Sequence, residues 1–345
     1  MITDYMSYSL DPTTFEMIII AKVQMLAWSV YDGTVDRKNV DEGALKDDRM
    51  SHVYKRRQKE YVDSIPSLFD YYAYMFHFTG LLGGPTIYYN EYMHVMKSTP
   101  NVSRWKEVIK TAIIGICGLI IFQATDYICS LEDLLDPSLH RYPLSLRLAV
   151  FVFVMMGMRG RYYGLWKLGE SMCILNGFGE ENGSWKGISN VDILKFEFSN
   201  NYSTTARVWN RRIQRWLQMC IYERSNFNQF YVFMVSAFWH GFYPGYYIGF
   251  TLASFMTHVN RLATKKLWPQ VQGTVLEMPY LLAGTICCLL TNTFMLGAHM
   301  CYTVKRTKQL WGNFDYSHPL FLVIACVVLT LMPMPKKSAL HEKSE

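Results

Sequence analysis

The 345-residue sequence lacks the cysteine spacings and the repeats that mark several common protein classes. Its eight cysteines are scattered, and no Cys-x-x-Cys occurs, so the sequence indicates neither a zinc site nor a disulfide framework. Several of them lie inside apolar segments, where cysteine behaves as a small buried hydrophobic residue. No internal repeat is visible, which disfavours a transporter built from two related halves. We therefore predict no metal site.

Basic residues exceed acidic ones, which gives a formal net charge of +6. An excess of this sign suits nucleic acid or an anionic membrane surface. The basic residues form short clusters beside apolar segments, such as Lys55-Arg56-Arg57, Lys265-Lys266 and Lys336-Lys337. Because lysine and arginine beside a span are the usual signal of membrane topology, the pattern favours the lipid bilayer as a partner and predicts no nucleic-acid binding.

Half of the residues are hydrophobic, and they are grouped in long blocks. Mean hydropathy is only +0.04, because polar loops such as 32–60 and 177–190 dilute these blocks. Blocks of about 20 residues are long enough to cross a bilayer as helices. The predicted fold class is therefore all-α, a polytopic membrane protein with about seven to nine membrane-embedded helices. The segments that predict helices are 15–31, 108–128, 144–175, 204–222, 227–241, 246–259, 278–302 and 320–334, together with 67–82 as a short or re-entrant helix and 88–96 as an interfacial piece.

Segment 204–222 predicts one continuous amphipathic helix. Its apolar stripe recurs at helical spacing and consists of Trp209, Ile213, Trp216 and Cys220. The opposite face carries Arg207, Arg211 and Arg215, and Asn210 lies at the boundary between the faces. Basic residues on such a face either set the membrane topology or attract phosphate groups, and the pattern alone leaves both open.

Five histidines lie in or beside the predicted membrane segments: His77, His94, His240, His258 and His299. An ionisable side chain in such a place is costly unless it faces protein or water, so each is a candidate functional residue. A packed histidine that hydrogen-bonds a neighbour explains each position equally well.

His240 is distinguished by the break that follows it. Gly241 and Pro244-Gly245 interrupt the helix, and irregular backbone at membrane depth is tolerated only where it is buried or lines a cavity. Aromatic neighbours would give this cavity apolar walls and hydroxyl groups that orient a ligand: Trp239, Phe242, Tyr243, Tyr246 and Tyr247. An interfacial aromatic belt around a proline kink fits the same pattern.

The string Trp239-His240-Gly241-x-x-x-Gly245-Tyr246-x-x-x-Phe250 resembles the histidine motif of the membrane-bound O-acyltransferase family, in the form found in its lysophospholipid acyltransferases. Trp209-Asn210, with Trp216-Leu217 and Tyr222-Glu223-Arg224 after it, is similar to that family's asparagine motif. Further similar pieces follow in the family's order over residues 15–335, among them Tyr31-Asp32-Gly33, Pro66-Ser67-Leu68, Phe76-His77-Phe78 and Glu180-Glu181-Asn182-Gly183. The chain departs from the subfamily at Lys186, where an aspartate is usual.

The resemblance implies transfer of an acyl group from acyl-CoA, as co-substrate, to the free glycerol hydroxyl of a lysophospholipid. It favours lysophosphatidylethanolamine and lysophosphatidylserine as acceptors, no cofactor, and a multi-pass location in the endoplasmic reticulum membrane. It implies that His240 and Asn210 are catalytic and that the membrane-embedded helices surround a central catalytic chamber. The amide of Asn210 would either donate to the developing oxyanion or hold the acceptor, and the sequence leaves both roles open. The substrate-binding residues predicted with them are Trp239, Tyr243, Tyr246, Trp209 and Arg211. Family members normally have three or four earlier helices, so we expect residues 1–345 to be a single domain that lacks them.

The chemistry of the two catalytic candidates fits this reaction. An alcohol is a poor nucleophile, and a histidine that titrates near neutral pH can take its proton as it attacks a thioester. No serine or cysteine has an evident base beside it, which favours direct transfer without an acyl-enzyme. The alternatives are an O-acyltransferase for a protein or sterol acceptor and a catalytically inactive membrane scaffold.

Overall fold

The computed structural model describes residues 13–36, 48–81, 83–98 and 103–335. The only β-type pairing within these ranges is a bridge between Glu181 and Ser184, so the predicted all-α class is confirmed. The α-helices are α1 (Thr13–Thr34), α2 (Asp48–Gln58), α3 (Leu68–Met75), α4 (Tyr89–Lys97), α5 (Trp105–Ile128), α6 (Leu131–Leu135), α7 (Leu144–Leu175), α8 (Ile193–Glu197), α9 (Tyr202–Val208), α10 (Arg211–Trp216), α11 (Gln229–His240), α12 (Pro244–Lys266), α13 (Trp268–Val271), α14 (Glu277–Cys301), α15 (Val304–Gly312) and α16 (Ser317–Leu331).

Among the described residues, three helices are long and apolar enough to cross a membrane: α1, α5 and α14. The pair α15 and α16 passes the same test together, although the two helices are bent by 84°. On α5, Ile113, Ile116, Ile120 and Ile121 are exposed, as they would be on a helix that faces lipid. The expected number of about seven to nine embedded helices stays a prediction.

The single helix predicted over residues 204–222 is wrong, because the chain breaks at Asn210. This residue has φ 45° and ψ 54°, a left-handed conformation that asparagine tolerates better than other non-glycine residues. Helix α9 therefore ends before Asn210, and α10 starts after it. A π-helical turn then covers Leu217–Ile221, so the predicted apolar stripe is not continuous.

The described chain divides into two compact units. The first lies within Met1–Ala124, Gly157–Ile193 and Val208–Val232, and the second within Thr125–Met156, Leu194–Arg207 and Phe233–Glu345. Helix α7 contributes its first part to the second unit and its remainder to the first. The single domain expected over residues 1–345 stays a prediction.

In the first unit, Lys22 ties α1 to the end of α3. Its ammonium group donates to the carbonyl oxygens of Tyr74 (2.5 Å) and Met75 (3.1 Å). Carbonyl groups in the last turn of a helix have no partner within the helix, so a buried cation is a suitable donor for them. This bond fixes the end of α3 against the first candidate span.

In the second unit, α12 and α14 pack closely at two glycines. The backbone N–H of Gly245 donates to the carbonyl oxygen of Tyr302 (2.7 Å). A Cβ atom at Gly249 would lie 2.5 Å from Nδ1 of His299, which is closer than van der Waals contact allows. Further along α14, Phe294 belongs to a fully buried aromatic cluster with Phe151 and Phe314. The glycines therefore set the distance between the two helices.

Candidate active site

His240 is the last residue of α11, and the chain turns directly after it. The N–H of Gly241 donates to the carbonyl oxygen of Phe238 (3.0 Å), and Gly241 has φ +123°. Residues with a side chain rarely adopt this conformation, so glycine is needed here to stop the helix. Helix α12 then begins at Pro244, whose fixed φ suits the first helical position. The predicted break is confirmed, and it falls between His240 and Pro244.

Four rings surround the half-buried imidazole of His240 within the second unit. The distances from its ring centroid to theirs are 4.9 Å for Trp239, 5.4 Å for Phe250, 5.9 Å for Tyr246 and 6.1 Å for His299. In the part of the chain that the structure describes, neither ring nitrogen of His240 has a hydrogen-bond partner. Packing thus holds the imidazole and leaves both nitrogens available for a substrate.

His299 is the second histidine of this site. Its Nδ1 lies 2.8 Å from the carbonyl oxygen of Met295, so Nδ1 carries a hydrogen and donates it. The ring also packs at 4.8 Å from Phe250 and 5.4 Å from Tyr246, which both contact His240 as well. His299 therefore helps to hold the rings around the proposed base.

The other three candidate histidines lie elsewhere. His77 belongs to the first unit, where its ring packs against Tyr92 and Phe178 and its Nδ1 is 2.9 Å from the hydroxyl of Thr79. His94 and His258 are exposed on their helices. Of the five histidines that the sequence left undecided, the structure brings only His240 and His299 into contact, within the residues described.

Three of the predicted substrate-binding residues lie beside His240. Trp239 and Tyr246 contact its ring, and Tyr243 packs 5.8 Å from Tyr246. Tyr302, which follows α14, completes this aromatic wall at 4.7 Å from Tyr243 and was not identified from the sequence. Its contact with Tyr243 has no local signal in the sequence, because Tyr302 lies 59 positions further along the chain.

Asn210 lies in the first unit, at the break before α10. Its side chain makes no capping hydrogen bond to that helix. The backbone around it is held by Asn190, whose carbonyl oxygen accepts from the N–H of Arg211 (2.7 Å) and whose Oδ1 accepts from the N–H of Arg212 (3.1 Å). Asn190 is itself held by Oε1 of Glu170 on α7 (2.6 Å). The side-chain amide of Asn210 is therefore attached to a backbone that these hydrogen bonds hold in place.

Trp209 packs into an aromatic cluster on α7. Its ring lies 4.7 Å from Trp166, 5.8 Å from Tyr162 and 5.9 Å from Tyr163. Edge-to-face pairs of this kind stabilise a fold by about 0.5–1.5 kcal/mol each beyond their burial. Trp209 therefore anchors the backbone on the other side of Asn210, and its predicted contact with a substrate stays a prediction.

Two of the arginines after Asn210 form ion pairs with carboxylate groups. Arg212 is 4% exposed and pairs with Glu91 on α4, and its Nε donates to the carbonyl oxygen of Thr86 (2.7 Å). Arg215 pairs with Glu60 and with Oε1 of Glu91 (3.3 Å). These two arginines are not free to attract phosphates, whereas Arg211 is exposed and has no ion pair among the described residues.

The arginines also set the charge of Glu91. Burial alone would raise the pKa of this carboxyl group, but Arg212 and Arg215 favour the ionised form and outweigh that effect, so the pKa of Glu91 is lowered. The pKa of Arg212 is raised by the same partner, although burial opposes this. The segment after Asn210 is therefore fixed by a charged, partly buried network of ion pairs.

Other motif residues have structural partners. Asp32 pairs with Arg224 (2.6 Å), whose guanidinium lies 3.8 Å from the ring centre of Trp28. The indole N–H of Trp185 donates to the carbonyl oxygen of Ser103 (3.3 Å). Within residues 13–36, 48–81, 83–98 and 103–335, no group of three or more His, Cys, Asp or Glu side chains is arranged to hold a metal ion.

Comparison with known proteins matches residues 1–270 to the membrane-bound O-acyltransferase family. "Lysophospholipid acyltransferase 6" of Drosophila melanogaster is 28% identical over 85% of this chain, and "Lysophospholipid acyltransferase" of Schizosaccharomyces pombe is 26% identical over 98%. "Membrane-bound glycerophospholipid O-acyltransferase 2" of Homo sapiens is 26% identical over 97%. The matches span 42%, 70% and 67% of these relatives' own lengths.

Proposed function

Because the chain belongs to the membrane-bound O-acyltransferase family, we propose that it transfers a fatty acyl group from acyl-CoA to the free glycerol hydroxyl of a lysophospholipid. The observation that carries this proposal is the ring-enclosed His240, at a helix break, with both nitrogens unpaired among the described residues. The names of the three relatives support the phospholipid acceptor, and the candidate spans support a multi-pass membrane location.

His240 acts as the general base. It takes the proton from the acceptor hydroxyl while the oxygen attacks the thioester carbonyl. The bond between carbon and sulfur then breaks, and the CoA thiolate leaves with the proton that the imidazolium returns. Base catalysis of this kind contributes about 10²–10⁴-fold to a rate. The aromatic wall of Trp239, Tyr243 and Tyr246 excludes water, which would otherwise compete as an acceptor.

Asn210 is the second catalytic residue. Its amide is not used to cap α10, and the backbone on both sides is held by Trp209 and Asn190. A fixed amide N–H stabilises the negative charge that develops on the thioester oxygen, which is worth about 3 kcal/mol at comparable sites. Exposed Arg211 beside it is the basic residue of this segment available to a substrate phosphate.

The favoured acceptors are lysophosphatidylethanolamine and lysophosphatidylserine, and the favoured location is the endoplasmic reticulum membrane. Both follow from the resemblance of the histidine motif. An O-acyltransferase for a protein or sterol acceptor and an inactive scaffold are the competing functions. A lipid panel with different head groups separates these possibilities, because each predicts a different set of acylated products.

The test uses membranes that contain the protein, acyl-CoA and a panel of lysophospholipids, with products read by mass spectrometry. We expect His240→Ala and Asn210→Ala to abolish product at unchanged expression. His258→Ala is the matched control, because His258 is exposed on α12 and contacts none of the rings around His240. Retained turnover in the His240 variant, or product formation from no lysophospholipid by the unaltered protein, would refute the proposal.

A further inference from the structure

Helix α10 follows Asn210, and asparagine at this place usually caps a helix with its own side chain. The first N–H groups of an α-helix have no partner within the helix. The side-chain oxygen of a capping asparagine normally accepts from the N–H two or three positions later. For α10 these two N–H groups belong to Arg212 and Ile213. The side chain of Asn210 makes no such bond, so α10 needs a different cap.

Asn190, in an earlier part of the chain, supplies this cap. Its side-chain Oδ1 accepts from the N–H of Arg212 (3.1 Å), which is one of the two groups that Asn210 would otherwise satisfy. Its carbonyl oxygen accepts from the N–H of Arg211 (2.7 Å), the first residue of the helix. Asn190 is 0% exposed, so water does not compete for these bonds. One residue therefore caps two N–H groups at the start of α10.

The segment that contains Asn190 is itself held in place. The N–H of Asn190 donates to Oε1 of Glu170 on α7 (2.6 Å), and Glu170 is buried. Two positions later, the N–H of Asp192 donates to the carbonyl oxygen of Val208 (3.2 Å). This bond lies before Asn210 in the chain, whereas the bonds from Asn190 lie directly after it. The two segments are therefore joined on both sides of Asn210.

The backbone of Asn210 follows from this arrangement. A residue that caps a helix with its own side chain has extended backbone, whereas Asn210 has φ 45° and ψ 54°. A left-handed conformation costs a non-glycine residue free energy, and it persists where surrounding contacts determine it. The bonds of Asn190 and Asp192 are such contacts. They leave the amide of Asn210 without a bond to α10, which is the state that the proposed reaction requires.

We propose that Asn190 is a positioning residue for acyl transfer: it caps α10 in place of Asn210 and so leaves the amide of Asn210 free to act on the substrate. This inference rests on the proposed function, in which that amide stabilises the oxyanion. Without the side-chain oxygen of Asn190, the N–H of Arg212 loses its partner. The amide of Asn210 then turns to it, because a buried N–H without a partner is costly. The helix keeps a cap, and the reaction loses its second catalytic group.

The first arm of the test measures stability and needs no turnover. Asn190→Leu removes the side-chain oxygen and fills a similar space, and Asn210→Gly removes the amide and tolerates the left-handed conformation. The melting temperatures of these variants and of the double variant in detergent form a double-mutant cycle. We expect the double variant to lose more than the sum of the single losses, because only there does α10 lack a side-chain cap. Additive losses would show that Asn210 does not replace the lost cap and would overturn the proposal.

The second arm measures acyl-transfer kinetics on the same preparations. Loss of an oxyanion donor costs about 10²–10³-fold in kcat. We expect Asn190→Leu to lower kcat at least about 10-fold, with little change in KM for either substrate. Asn190→Asp should restore most of this activity, because it keeps the accepting oxygen. The side-chain nitrogen that it replaces has no hydrogen-bond partner among the described residues, so no bond is lost.

Ser130→Ala is the control, since it removes an ordinary cap outside the proposed site. The hydroxyl oxygen of Ser130 accepts from the N–H of Asp133 (3.4 Å) at the start of α6. This variant should lower the melting temperature and leave kcat unchanged. An unchanged kcat in Asn190→Leu, or an equal fall in Asn190→Asp, would overturn the positioning role. If the unaltered protein shows no acyl transfer, the proposed function fails, and the double-mutant cycle still decides whether Asn190 caps α10 in place of Asn210.

Discussion

Replacing Gly249 with alanine tests whether the contact between α12 and α14 holds the catalytic histidine in place. The new Cβ atom would lie 2.5 Å from Nδ1 of His299, 2.6 Å from its Cε1 and 2.9 Å from the carbonyl oxygen of Met295. Ordinary contact begins at 3.4 Å, so the ring of His299 or the helix must move by roughly 1 Å. His240 and Phe250 pack on that ring and would move with it.

The size of the effect follows from this displacement. Overpacking of a closed contact costs about 1–3 kcal/mol, so the melting temperature in detergent should fall. A misplacement of about 1 Å at a reacting group costs up to about 10²-fold in rate. Because the proposed role of His240 is in the transition state, we expect Gly249→Ala to lower kcat with little change in KM for either substrate.

The assay combines thermal unfolding with acyl-transfer kinetics on the same preparations. Gly312→Ala is the control, since its Cβ atom would meet the ring of Tyr316 only at 3.8 Å. If Gly249→Ala leaves both stability and kcat unchanged, the reasoning is refuted.

Two further predictions concern charged groups. Lys266 donates to three carbonyl oxygens at the end of α16, at distances of 2.6–3.0 Å. Lys266→Met should therefore lower the free energy of unfolding by about 3 kcal/mol or more. Lys265→Met, at an exposed position, is the control and should change it by less than about 0.5 kcal/mol. The pKa of Glu91 is lowered because the effect of Arg212 and Arg215 outweighs that of burial. Ionised Glu91 therefore stabilises the fold fully above the pKa of an unfolded glutamate, about 4.3. This stabilisation is lost as the pH falls through the lower pKa of the folded state. Thermal stability should therefore decline below about pH 4.3, and Glu91→Gln should show a shallower decline; equal slopes would contradict this.

The long apolar spans could be predicted from the sequence. Segments 15–31, 108–128 and 278–302 lie within α1, α5 and α14 to within a few residues, because a block of about 20 apolar residues can satisfy its backbone in lipid only as a helix. Helix α12 was predicted from residue 246, and it begins two residues earlier because Pro244 occupies its first position. For these helices, the local sequence was sufficient to predict where they lie.

The geometry around Asn210 could not be predicted in the same way. Apolar spacing continues through residues 204–222, and asparagine is compatible with a helix as well as with the left-handed conformation. The left-handed conformation is supported by bonds from Asn190 and by the packing of Trp209 on α7, both contacts with distant parts of the chain. A periodic pattern contains no information about such contacts, so the break was missed although the residue was identified.

The contact between His299 and His240 was not predicted for the same reason, although the sequence contains the glycine that allows it. Gly249 lies about one and a half turns into α12, on the side that meets α14, and a side chain there would exclude the imidazole of His299. One helix, α12, thus begins at the break that exposes the proposed base and accommodates the second histidine at Gly249.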